Sequence, residues 1–90
     1  MPVVELIPDL SSCIETTAKR EYEKVNKMLL TAAKWDDELE QRAEILRLFL
    51  ESMDFRKLRS ESEKHLLNGK NVKFVISLDN GRLKPEMRVS

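Results

Sequence analysis

The period of the apolar positions divides the chain into three stretches. Over residues 11–68 apolar side chains recur every three or four positions, the spacing of one face of an α-helix. From Val72 to Val89 they alternate with polar residues, the spacing of a half-buried strand. Residues 1–10 follow neither rule, with Val3, Val4, Leu6 and Ile7 bracketed by Pro2 and Pro8.

Within the helical stretch, Ile14, Ala18, Tyr22, Val25, Leu29 and Ala32 share one face and predict a first helix beginning near Ser12. Ser12 and Glu15 have capping-box spacing there, and Asp9 offers a competing cap. Trp35 precedes Asp36 and Asp37, and Asp37 with Glu40 repeats the capping spacing. A break is therefore predicted, since one rod of about forty residues would far exceed the usual ~11–12. The second helix, over 37–53, carries Leu39, Ala43, Ile45, Leu46, Leu48, Phe49, Leu50 and Met53. At about 100° per residue these span roughly 220° of its circumference, so it must be covered from more than one direction. Asp54 is predicted to cap a third helix bearing Phe55, Leu58, Leu66 and Leu67 on its apolar side. Lys57 and Glu61 stand at ion-pair spacing on its exposed face, and Gly69, in the left-handed conformation, closes it after Asn68.

Asn80-Gly81 predicts a two-residue type I′ turn, because both central positions of that turn need positive φ. This fixes the register: Asp79 faces Arg82, and Leu78–Leu83, Ile76–Pro85, Phe74–Met87 and Val72–Val89 fall on one face. Ser77–Lys84, Val75–Glu86 and Lys73–Arg88 fall on the other. A slip of one residue would scatter the apolar set over both faces, so turn chemistry and alternation support one another. Pro85 lacks a donor that would point away from its partner, which marks strand 83–89 as an edge. The segment Val3–Ile7 is expected either to add a third strand beside 72–78 or to lie as a packed extended arm.

Between Asp9 and Asn68 there is neither Gly nor Pro, and 36% charged with 41% hydrophobic residues is the composition of a folded, helix-rich chain. The expected fold is α+β and mainly helical: a helical hairpin, a short third helix and a C-terminal antiparallel β-hairpin. One domain is expected over 1–90, with an arm or strand at 1–10, a helical body at 11–68 and the β-hairpin at 70–90.

Sixteen basic and sixteen acidic side chains cancel, which removes the global field of a histone-like protein. The distribution is uneven: residues 1–68 hold 11 basic and 14 acidic groups, and residues 69–90 hold 5 and 2. One cysteine forms no internal disulfide, no signal-peptide pattern opens the chain, and no apolar run nears the ~20 residues of a membrane span. A cytoplasmic protein without membrane contact is expected.

The candidates for chemistry are few. Cys13 falls near a helix start, where a thiolate is favoured, but no His or second Cys is nearby in sequence. His65 is the lone histidine, without metal-ligand spacing. Asp36, Asp37, Glu38 and Glu40 lack the alternation and glycine of a calcium loop and read as helix-start carboxylates. Two glycines hardly furnish a phosphate loop. An enzyme is disfavoured, and no cofactor or small-molecule substrate is implied. Trp35, beside a turn, is the aromatic most suited to contact a partner.

Two surfaces remain. Lys73 opposite Arg88, with Lys84 on the same face and Lys70 and Arg82 at its ends, juxtaposes like charges that an acidic protein or phosphate would relieve. The broad apolar arc of the second helix, through Ile45, Leu48 and Phe49, suits pairing with a second copy. The leading expectation is a small non-enzymatic interaction module that forms a homodimer. The alternative is a nucleic-acid-associated protein using the basic hairpin face with Arg56, Arg59 and Lys64.

Overall fold

The computed structural model describes residues 3–90 as β1 (Val3–Leu6), α1 (Ile14–Thr31), α2 (Asp37–Ser52), α3 (Phe55–Leu67), β2 (Val72–Asp79) and β3 (Arg82–Val89). Pro2, expected to bracket the first segment, lies outside the described residues. The fold is α+β and mainly helical, with three helices and an antiparallel sheet of order β1-β2-β3.

The turn follows from its residues. Asn80 and Gly81 take φ of 52° and 78°, the positive values that glycine accepts without penalty and asparagine tolerates. Every pair expected between β2 and β3 forms, from Asp79–Arg82 out to Val72–Val89. The N-terminal segment is a strand: Val4 pairs with Ile76 and Leu6 with Phe74, so β1 lies beside β2, on the side away from Pro85.

The caps of the first two helices differ from expectation by one residue, for a local reason in each case. Asp9 Oδ1 accepts the N–H groups of Ser11 and Ser12 at 2.9 and 2.7 Å and so closes a turn ahead of α1. That holds Ser12 outside the helix, and Cys13 becomes the N-cap without a side-chain cap bond. At α2 the cap is Asp36, whose carboxylate accepts from Glu38 N–H and Leu39 N–H, and Asp37 is the first helical residue. Asp54 caps α3 as expected, accepting from Lys57 N–H at 3.3 Å. The end of α3 also follows the expectation: Gly69 has φ 76°, its N–H donates to Leu66, and Lys70 N–H donates to His65. The ion pair on α3 is Arg59–Glu63 at 2.8 Å instead of Lys57–Glu61. Ala32 and Leu67, expected on buried faces, lie at or beyond the last helical turn and are exposed.

The broad arc of α2 is covered within the one chain. Helix α1 packs along it, all three strands touch it, and Phe55 of α3 meets Phe49 edge-on with ring centroids 5.5 Å apart. Ile45, Leu46 and Phe49 are each 0% exposed, enclosed with Val4, Leu6, Ile14, Val72, Phe74 and Ile76. This corrects the role given to Ile45 and Phe49, which have no surface left to offer a second copy. Leu48 is half-buried.

The hairpin docks unevenly. In β2 Val72, Phe74 and Ile76 are buried and Leu78 half-buried, whereas in β3 Leu83 and Met87 are half-buried and Pro85 and Val89 are exposed. The reason is geometric: α2 reaches β3, while α1 and α3 cover β1 and β2.

Phe49→Ala is expected to lower unfolding free energy by about 3–5 kcal/mol, the range for deleting a buried aromatic. Leu48→Ala should cost clearly less. Urea unfolding followed by far-ultraviolet dichroism measures both, and equal midpoints would contradict the assigned core.

Candidate functional site

In an antiparallel sheet, directly opposed residues alternate between hydrogen-bonded and non-bonded pairs. Asn71 and Ser90 exchange two backbone bonds of 2.9 Å, which fixes the phase of that alternation for the sheet. Counting inward, Lys73–Arg88, Val75–Glu86 and Ser77–Lys84 are bonded pairs. The peptide groups of Val72, Phe74, Ile76 and Leu78 therefore face away from β3, and Val4 and Leu6 bond to Ile76 and Phe74.

The two outer edges of the sheet consequently differ. On β3 the outward groups belong to Leu83, Pro85, Met87 and Val89, and Pro85 interrupts them with a missing N–H. On β1 they belong to Val3 and Glu5, which have no hydrogen-bond partner on that side among the described residues. Beside this edge runs a groove of about 370 Å³ between β1 and helices α1 and α2. Buried Val4, Val25 and Leu46 and half-buried Glu21 and Arg42 line it. Arg42 donates to Glu38 at 2.9 Å, and its Nε is buried without an acceptor.

The solvent face of the sheet brings Lys73, Lys84 and Arg88 together as expected, but supplies each with a carboxylate. Lys73 lies 3.5 Å from Glu5, Lys84 lies 2.7 Å from Asp79, and Arg88 lies 3.5 Å from Glu86. The repulsion of Lys73 and Arg88 is thus answered within the chain. Two of these partners were legible nearby in sequence: Asp79 across the turn from Lys84, and Glu86 two residues from Arg88. Glu5 was not, because only the pairing of β1 with β2 brings it to Lys73.

The expected acidic cluster is divided among structural duties. Asp36 caps α2, Glu38 pairs with Arg42, and Glu40 accepts the indole N–H of Trp35 at 3.0 Å. Trp35 remains 66% exposed, in the α1–α2 connection near exposed Leu30. His65 is half-buried in the last turn of α3.

A second groove, of about 500 Å³, lies between the start of α1 and one stripe of α3. Arg56, Arg59, Glu63 and Lys64 line it opposite Cys13 and Glu15. Sequence spacing alone did not join Cys13 to this stripe; the crossing of α1 and α3 does. The thiol pKa is lowered, first by the Thr16 hydroxyl 3.3 Å from Sγ, then by the N–H groups of Thr16 and Glu15 and by the Arg59 charge.

A protein-family model that carries no assigned activity matches residues 3–87, and the chain belongs to that family. No curated protein and no solved structure matches it. No helix among the described residues is long and apolar enough to cross a membrane.

Because the Cys13 thiolate is stabilised first by Thr16, its alkylation by iodoacetamide should have a pH midpoint below that of an ordinary thiol. Thr16→Val should move that midpoint upward, since it removes one hydrogen-bonding group from the charged form. Rate measurements across pH 6–10, roughly the span bracketing a free thiol near ~8.5, check both. An unshifted midpoint in the variant would sink this account.

Proposed function

We propose that this member of the family is a small non-enzymatic interaction module that works as a homodimer, joined through the free edge of β1. The carrying observation is the inequality of the two sheet edges: β3 is interrupted by Pro85, while Val3 and Glu5 turn outward peptide groups that have no partner among the described residues, beside an open groove. Strand addition at such an edge draws its affinity from main-chain hydrogen bonds and its selectivity from alternate side chains. The reading keeps self-association but moves it from α2, whose Ile45 and Phe49 are enclosed, to the neighbouring strand. A short edge gives a modest interface, so dissociation in the micromolar range follows. A cytoplasmic setting accords with the single free thiol.

The α3 groove favours a second reading, association with nucleic acid through Arg56, Arg59 and Lys64. Arg56 and Lys64 form no ion pair among the described residues, unlike Lys73, Lys84 and Arg88. Only a few phosphate contacts are available, so binding should be weak and strongly salt-dependent.

Sedimentation equilibrium at tens of micromolar should give about twice the 10.5 kDa of one chain. Glu5→Pro removes an N–H that β2 does not use, so it should retain the helical dichroism and yield monomer, while Glu5→Gln should remain dimeric. A wild-type monomer at that concentration overturns the proposal. For the second reading, an oligonucleotide mobility shift is expected at about 50 mM salt and should weaken with Arg56→Ala and Lys64→Ala. No shift at that salt dismisses it.

A further inference from the structure

The groove between α1 and α3 differs from the basic face of the hairpin in how its cations are placed. On the hairpin, Lys73, Lys84 and Arg88 each lie 2.7–3.5 Å from a carboxylate. In the groove Arg59 is paired with Glu63 at 2.8 Å, while Arg56 and Lys64 have no ion pair among the described residues. Both are exposed, and so is Ser60 between them. Residues 56, 60 and 64 follow at four-residue intervals and form one stripe along α3, its charged ends about 12 Å apart along the axis. The opposite wall is the start of α1, where Cys13 and Glu15 are half-buried. A chain of phosphates in this channel meets two cations free of internal carboxylates on one wall and the single carboxylate of Glu15 on the other.

Width decides which form of nucleic acid fits. Packed helices run with axes about 8–10 Å apart, so a channel between α1 and α3 is too narrow for a stiff duplex, whose major groove alone is about 12 Å wide. A single strand is thin and flexible enough to lie there, and a basic groove that tracks the backbone holds single strands with little regard to sequence. Stacking adds little. Phe55 is half-buried with its ring edge-on to Phe49, and Leu67, 73% exposed, offers an apolar contact at the C-terminal end of the stripe.

We infer that the groove holds single-stranded nucleic acid, with one backbone phosphate on Arg56, one on Lys64, the Ser60 hydroxyl donating between them and the strand passing over Cys13. This rests on the nucleic-acid reading and adds the form of the nucleic acid, the number of phosphates and the path. Two contacts at about −0.7 each give a slope of log affinity against log salt near −1.4. Glu15 repels the bound strand, so neutralising it tightens binding roughly twofold.

Fluorescence anisotropy with a labelled strand of about ten nucleotides, and with the same sequence as a duplex, tests this between about 50 and 200 mM salt. The strand should bind more tightly than the duplex, with the stated slope, and Arg56→Ala or Lys64→Ala should each halve that slope. Glu15→Gln should tighten binding, a gain that damage to the fold would not produce, and Lys84→Ala on the hairpin should leave it unchanged. Bound strand should also slow alkylation of Cys13 by iodoacetamide. Equal or tighter binding of the duplex, or an unprotected Cys13 with no effect of Glu15→Gln, overturns the inference and leaves the nucleic-acid reading standing. Displacement by poly-glutamate as effective as by unlabelled strand makes this an acidic-peptide site and overturns both, as does the absence of binding to either form at about 50 mM salt.

Discussion

Positive φ at Asn80 and Gly81 fixes more than a turn. Once those two residues close the hairpin, every side chain of β2 and β3 is assigned a face, and every peptide group is assigned a direction. Val72, Phe74 and Ile76 point at the helices because of that parity, and the peptide groups of Phe74 and Ile76 point at β1 for the same reason. The same count places the donor that Pro85 lacks on the outside of the sheet, where its absence breaks no bond within the fold. It also turns the peptide groups of Val3 and Glu5 outward. One local conformation thus governs the core, the acceptance of the third strand and the difference between the edges.

Helix α2 occupies the centre that this sheet creates. An apolar arc of roughly 220° is too wide for one neighbouring helix, and here α1 takes one side while the sheet takes another. The salt bridges of Arg47 with Glu44 and Glu51 occupy the remaining solvent side. These exposed pairs contribute little each; the enclosed Ile45, Leu46 and Phe49 dominate the stability of the helix.

What could be read from the sequence was local chemistry with a strict geometric demand. The Asn80-Gly81 register, the Asp54 cap and the Gly69 terminus each follow from a residue type that the backbone requires there. Non-local pairing was harder to read. In β1, Val3 is apolar yet faces outward and Ile7 lies beyond the strand, so no clean alternation announces four residues of sheet. That one ambiguity hid part of the cover over α2 and the carboxylate beside Lys73, since both arrive with β1. The one-residue shifts at Cys13 and Asp36 had a different cause: several capping residues competed within a few positions, and the bonds that Asp9 accepts in the turn ahead of α1 and that Asp36 accepts from the first turn of α2 decided between them.

The unequal edges also bear on what kind of assembly this sheet permits. An eight-residue strand such as β3, left continuous on its outer side, would invite pairing with any extended chain, and a proline near its middle interrupts that template. Among the described residues strand β1 exposes two outward ones, too few to hold many alternative partners in many registers. When two such short edges meet about a two-fold axis, the joined sheet ends in β3 on both sides, and each end carries Pro85. Growth by the same edges then stops at two copies. A β1 edge meeting a β3 edge head to tail would instead leave one edge of each kind free and could propagate into an open array, and Pro85 opposes that contact directly. The position of one proline, set by the hairpin register, therefore favours a closed pair over a fibre.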